Sequence, residues 1–311
     1  SSLYVISVSE KKVTARRLPY DDTLQELTLN VQSGLHLDNN TFDESCKRLY
    51  DLLMHEELTS QINSANNIVI SADHQLSLLS FEMLGADKRL IEDFNVRYIH
   101  SLNMRYPENK TASSTLASFV PIYEEERSEE EEVYALLVRD GEWYLPGAIE
   151  ESKEITNLLE GDLYIGEDAT EKNFRIHADE YSVLHLSMHS IPKDTSSLEN
   201  VLLFNSTPDT LYDNILTESE IYNLELNSDL VVLSACNTGY GKYYKGKGVK
   251  SLSNAFVYAG VPSLIMSYWK VPDKSTSQIM IAFYRNLNKG KTKSESLRQA
   301  KLEYVNNAQS D

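Results

Sequence analysis

The chain has 311 residues, 41% of them apolar and 24% charged, with a formal net charge of −18. That length lies far above the size at which a core needs disulfides or metals, and the composition is that of one large globular domain or two. A chain this acidic repels phosphate, which excludes nucleic acid and anionic membrane as general partners.

Other exclusions follow from what the sequence lacks. No apolar run approaches the roughly 20 residues that span a bilayer, and no hydrophobic leader opens the chain. The two cysteines, Cys46 and Cys236, exclude a disulfide framework and suit a reducing, cytoplasmic setting. No period of 20–50 residues repeats, so this stretch is not itself a solenoid.

The elements follow in chain order. Leu3–Val8 and Val13–Leu18 predict an opening hairpin. A helix is expected over Phe42–Gln61, with Leu49, Leu52, Leu53 and Met54 on one side. Asn67–Ser71 and Val96–His100 read as short strands. Residues 106–114 (YPENKTASS) are turn formers, and residues 124–132 (EEERSEEEE) carry seven Glu and one Arg. The acidic run reads as a solvated linker. It divides the chain into an N-terminal half, 1–123, and a second half, 133–311.

The second half is better punctuated. Strands are expected at Tyr134–Val138, Ser182–Met188, Val201–Phe204 (at a sheet edge), Asp229–Ala235 and Ser263–Trp269. Helices are expected at Glu150–Leu159, Thr170–Ile176, Lys250–Ala259, Ser275–Leu287 and Ser294–Asn306. Thr217 with Glu220 reads as a capping box, and Gly260 as a helix stop. Strand and helix alternate, which predicts an α/β fold around a mostly parallel sheet with right-handed crossovers.

In open parallel sheets, ligand sites lie beyond the carboxyl ends of strands. Strand Ser182–Met188 runs into His189, and Asp229–Ala235 runs into Cys236 and then Asn-Thr-Gly-Tyr-Gly. Alternation puts His185, Ser187 and His189 on one face and Leu184, Leu186 and Met188 on the other. A thiol becomes a strong nucleophile when a neighbouring imidazole takes its proton. From these residues alone two readings stay open. Cys236 and His189 are a catalytic pair, or they are a buried small side chain and a structural imidazole. Gly239 and Gly241 would let a substrate backbone approach. Cys46, mid-helix beside Lys47 and Arg48, reads as structural. His36, His55, His74, His100 and His177 are scattered with no metal-ligand spacing, so no metal site is expected. Gly241 to Lys247 matches G-x-x-x-x-G-K, but Gly248 stands where a phosphate loop needs Ser or Thr. Its lysines, Lys242, Lys245, Lys247 and Lys250, read instead as a mobile basic loop beside the thiol.

The segments SVLHLSMHS, DLVVLSACNTGYG, GVKSLSNAFVYAGVPSLIMSYWKVPD and FYRNLNKGKTKSESLRQAK resemble the CHAT family, a bacterial branch of the caspase-like cysteine peptidases related to separase. Weaker likeness in NNIVISADHQLSLLSFEML, LPGAIEESKEI and GEDATEKNF extends it over about residues 40–306. The resemblance implies a caspase-like sheet flanked by helices, with a non-catalytic, pseudo-caspase N-terminal half. It implies a Cys236 nucleophile, His189 as general base and acid, and an oxyanion hole from the backbone amides of Ser190 and Cys236. It further implies substrate pairing along Tyr268, Trp269 and Lys270, and Asp273 near a P1 pocket that would favour a basic residue. No cofactor is implied. The partners implied are a protein substrate and an activating partner or TPR sensor region in a larger defence or sensing system. Ser190 departs from the family's usual Gly, and no Trp-containing closing strand is seen. The rival reading is a silent CHAT scaffold that docks partner proteins.

Overall fold

The computed structural model describes residues 2–34, 39–54, 56–62, 65–85, 87–99, 115–123, 143–191, 200–206, 211–234, 242–244, 248–250, 252–268 and 271–308. The loop 106–114, the acidic run 124–132, the expected strand Tyr134–Val138, Gly239, Gly241, Cys236, Trp269 and Lys270 lie outside the described residues. Two compact units form, Ser1–Leu102 and Asn103–Asp311. The division thus falls ahead of the acidic run rather than at it.

In the first unit, β1 (Ser2–Val8) and β2 (Val13–Pro19) pair antiparallel from Ser2↔Pro19 to Val8↔Val13. Helix α1 (Asp22–Gln32) starts where the Asp21 carboxylate accepts the Leu24 amide at 3.0 Å, satisfying one of the orphan donors of its first turn. The single helix expected over Phe42–Gln61 is two, α2 (Asn39–Leu53) and α3 (Glu56–Ile62). The Thr59 hydroxyl donates to the Met54 carbonyl, 3.2 Å away, and so satisfies an acceptor at the break. Strands β3 (Asn67–Ile70) and β4 (Asn95–Tyr98) pair in parallel, with a one-turn helix, α4 (Leu90–Asp93), before β4. Cys46, Leu49, Leu79 and Leu84 are the fully buried centre of this unit.

The second unit is built on a five-stranded, all-parallel sheet. Its order is β14 (Leu264–Met266), β11 (Leu230–Leu233), β7 (Val183–Leu186), β5 (Leu116–Val120), β6 (Asp162–Ile165). Two of these strands, β5 and β6, are absent from the sequence reading. Leu116–Val120 precedes the acidic run yet is buried inside this sheet. Helices α5 (Pro146–Leu159), α9 (Asp273–Asn288) and α10 (Lys293–Ala308) cover one face, where Ile155, Phe283 and Tyr284 meet Val183, Leu230 and Val232. On the other face α6 (Glu171–His177), α7 (Glu218–Ile221) and α8 (Leu252–Tyr258) bring Phe174, Ile221 and Phe256 onto Leu184, Leu186 and Leu233.

A second, antiparallel sheet joins β8 (Ser190–Ile191), β9 (Val201–Leu203) and β10 (Ile215–Thr217). The strand expected at an edge, Val201–Phe204, is therefore a central one. It is short because it sits in a small sheet fed directly from the end of β7. The capping box forms as expected. Thr217 Oγ1 accepts the Glu220 amide at 3.2 Å, and Glu220 Oε2 accepts the Thr217 amide at 2.9 Å. Gly260 takes a φ of +107° just past α8, where a side chain would be strained.

Phe119 in β5 is fully buried, stacked on Tyr164 with centroids 4.4 Å apart and meeting Phe174 edge-on at 5.4 Å. Phe119→Ala should destabilise the second unit by about 3–5 kcal/mol through lost burial and a residual cavity. Denaturant unfolding followed by tryptophan fluorescence measures this, and a loss below about 1 kcal/mol would contradict the packing described.

Candidate active site

Strand β7 ends at Leu186, and the chain then turns through Ser187 and Met188 into β8. Leu184, Leu186 and Met188 do face the same cluster. His189 departs from the expected alternation. His185 packs edge-on to Tyr284, in the cluster on one face, whereas His189 packs on Tyr123 and Trp143, in the cluster on the other. Alternation holds only while the backbone is extended, and here it is broken by the turn after β7.

The His189 ring packs in a cluster with two aromatic neighbours, its centroid 4.5 Å from Tyr123 and 5.3 Å from Trp143, which are themselves 5.0 Å apart. Its Nε2 is 2.9 Å from the Trp143 carbonyl oxygen. A carbonyl only accepts, so Nε2 carries hydrogen and the neutral ring keeps its lone pair on Nδ1. The backbone beneath the ring is also held. The His189 amide donates to the Tyr123 hydroxyl at 3.0 Å, and that hydroxyl donates to the Leu203 carbonyl at 2.6 Å. Burial pushes the Tyr123 phenol far above its ordinary range, so it remains a neutral donor.

Ser190 pairs with Leu202 across β8 and β9. The Leu203 amide donates to the His189 carbonyl at 3.0 Å, which makes Ser190 and Leu202 a wide pair. In such a pair the amides point away from the partner strand, so the Ser190 N–H is directed off the end strand of this sheet.

Strand β11 runs beside β7 with Leu233 opposite Leu186, and the Ser234 amide donates to the Leu186 carbonyl at 3.0 Å. His189 and Cys236 each follow this rung by three residues along the chain. Cys46 is fully buried in the other unit, and burial raises its thiol pKa.

Of the expected substrate residues, Tyr268 is half-buried and lies beyond the end of β14. Asp273 has a different engagement. Helix α9 begins at Asp273 itself, and its carboxylate accepts the Gly147 amide at 2.6 Å. It therefore caps the first turn of α5, 126 residues away in sequence, rather than its own helix. Residues Lys242–Tyr244 and Gly248–Lys250 form an antiparallel pair, β12 and β13. A phosphate loop leads into a helix, so this pairing removes the nucleotide reading. Gly241, Lys245, Gly246 and Lys247 lie outside the described residues.

Three groups around the histidines carried no signal in the sequence: Tyr123, Trp143 and Glu151. Trp143 contributes its ring and a backbone carbonyl, and any residue could supply the carbonyl. Among the described residues, no group of three or more His, Cys, Asp or Glu is placed to hold a metal, and no helix is long and apolar enough to cross a membrane.

The model of the CHAT domain family matches residues 43–311. Among curated proteins, tetratricopeptide repeat protein 28 of Mus musculus is 30% identical over 110 residues, 35% of this chain and 4% of that protein. The Homo sapiens protein of the same name is 32% identical over 90 residues, 29% of this chain and 4% of its own length. The chain thus spans a small fraction of these relatives. Among solved structures, the Arg-specific cysteine proteinase gingipain R superposes with a TM-score of 0.51 at 12% identity, over 92% of this chain and 70% of that one. The fold is caspase-like.

Tyr123→Phe keeps the ring but leaves the His189 amide and Leu203 carbonyl without their shared partner. The expected loss of stability is about 1–3 kcal/mol. Chemical unfolding of the folded variant against the parent measures it.

Proposed function

The chain belongs to the CHAT domain family, and from that premise we propose that it is a cysteine endopeptidase working through a Cys236–His189 dyad. The observation that carries this reading is the register of β7 and β11. Leu186 and Leu233 share the last rung of that parallel register, and His189 and Cys236 each follow it by three residues in sequence, which supports the reading because α/β sheets hold ligands beyond the carboxyl ends of their strands.

The chemistry follows from the His189 tautomer. With hydrogen on Nε2, held by the Trp143 carbonyl, Nδ1 is the atom that takes the Cys236 thiol proton. The thiolate attacks a peptide carbonyl, and the oxyanion is met by the amides of Ser190 and Cys236. A donor so aimed contributes about 2.7–4 kcal/mol to the transition state. Imidazolium Nδ1–H then protonates the departing amine, and water cleaves the thioester with the same nitrogen as base. Tyr268, Trp269 and Lys270 would pair with the substrate backbone by strand addition. Asp273, engaged by the Gly147 amide, is left out of the substrate site. Two relatives named as tetratricopeptide repeat proteins support a further part of the reading, that such a sensor region governs the peptidase.

Cys236→Ala and His189→Ala should each abolish cleavage and labelling by a cysteine-directed activity probe, with unchanged circular dichroism. Cys46→Ala should keep both. New protein N-termini mapped after adding the chain, alone and in its natural full-length context, identify the substrate. Cleavage that survives Cys236→Ala would overturn the assignment.

A further inference from the structure

The second buried histidine, His185 on β7, has no part in the chemistry above, and yet it stands only four residues before the first. We propose that His185 and Glu151 form a positioning pair that sets the orientation of His189, an inference that rests on the peptidase reading of that site.

The argument begins with what each histidine touches. His185 and His189 are four residues apart on one segment of chain. The Nε2 of His189 meets the segment that leads into α5, and the Nε2 of His185 meets α5 itself. His189 Nε2 is 2.9 Å from the Trp143 carbonyl, and His185 Nε2 is 2.7 Å from Glu151 Oε1. Between these two points the Gly147 amide is held by Asp273 at 2.6 Å. Gly147 and Glu151 are one helical turn apart on α5, and Trp143 stands three residues before its first residue, so the three ties fall within nine residues of chain. A shift of α5 on the sheet would be passed through Tyr144 and Leu145 to the Trp143 carbonyl, and the His189 imidazole would lose its acceptor.

The surroundings of His185 argue that the pair is more than filler. His185 is 0% exposed and Glu151 1%. Two buried ionisable groups are rarely better for stability than an apolar pair of the same volume, and fixing one geometry is their best attested use. The site is built to retain them. Ser187 Oγ is 2.8 Å from His185 Nε2, and Tyr284 Oη is 3.2 Å from Nδ1. Glu151 Oε1 makes its close approach to Nε2 off the direction of a hydrogen bond, and so acts as a charge neighbour rather than a shared acceptor. Ser118 stands directly across from His185 on β5, and its hydroxyl is buried without a hydrogen-bond partner, as is that of Ser152 next to Glu151. The titratable groups facing His185 among the described residues are Glu151 from α5 and Tyr284 from α9. Burial, and then the charge of Glu151, hold the Tyr284 phenol well above its ordinary range, so it stays a neutral partner.

The test is ¹⁵N-histidine NMR on the whole chain, wild type and Glu151→Gln, which keeps side-chain volume and removes the charge. The wild type should show His189 as the Nε2–H tautomer. In Glu151→Gln the expected result is a mixed tautomer for His189, together with a kcat lower by roughly ten- to hundredfold at little changed KM. Loss of a remote charge alone would lower the His189 titration midpoint but would leave the hydrogen on Nε2, so the tautomer separates positioning from simple electrostatics. Glu151→Asp should restore part of both signals. Should Glu151→Gln not fold, Tyr284→Phe removes a single hydroxyl from the same cluster and should perturb the His189 tautomer in the same direction. A folded variant with the wild-type His189 tautomer and pH–rate profile would overturn the proposal. A wild-type chain with no peptidase activity, but with His189 responding as stated, would overturn the peptidase reading and leave the positioning pair standing.

Discussion

The parallel pairing of β7 with β11 is the constraint on which the candidate site depends. Both strands are buried on both faces, each face against a different cluster. A slip of one residue would turn Leu184 and Leu186 toward the helices that now meet Val183, and would set His185 among Phe174 and Phe204. That exchange would strand a buried imidazole without its partners, so the register is strongly specified. Pairing also continues past the formal strand ends. The Ser187 amide bonds the Phe119 carbonyl and the Ser234 amide bonds the Leu186 carbonyl, each at 3.0 Å. Both strands are therefore still held at the point where the chain leaves the sheet.

What could be read from the sequence divides along the range of the interactions involved. The opening hairpin, the capping box at Thr217 and the stop at Gly260 are local, decided by residues within a few positions of one another. The runs around His185 and Val231 were legible because strands buried on both faces read as continuous apolar stretches. Leu116–Val120 was missed although every residue in it is buried, since Ala117 and Ser118 interrupt the run. Nothing local distinguished Asp162–Ile165, which opens on an acid. The partner of Asp273 lies 126 residues away, so no inspection of its neighbours could have found it. What the fold supplies to it is a helix amide. Trp143 escapes notice for another reason. The group that fixes the tautomer is its main-chain carbonyl, which leaves no trace in side-chain identity, and its ring meets His189 from 46 residues away in sequence.

The two histidines show how one strand can give the same residue two chemical characters. His185 lies inside the sheet–helix layer, where its neighbours are a carboxylate, a phenol and a serine hydroxyl. Such partners fix an imidazole by charge and by hydrogen bonds at both nitrogens. His189 has passed the end of the strand. It is held by the faces of two aromatic rings and by a neutral carbonyl. The carbonyl decides which nitrogen carries hydrogen, and it does so without placing a full negative charge beside the ring.

That difference bears on the kind of nucleophile the site suits. A carboxylate at Nε2 would stabilise the imidazolium strongly, which helps an alcohol nucleophile that must surrender a poorly acidic proton. A thiol starts from a pKa of about 8.5, so its proton moves to a neutral imidazole with far less assistance. A carbonyl partner then suffices to keep Nδ1 as the base and to orient the ring. It also leaves the imidazolium acidic enough to give the proton back to a departing amine. On the peptidase reading, the polar groups near the two histidines are sorted accordingly. The carboxylate serves the histidine inside the layer, where geometry is at stake, and the carbonyl serves the one at the sheet edge, where a proton has to move in both directions.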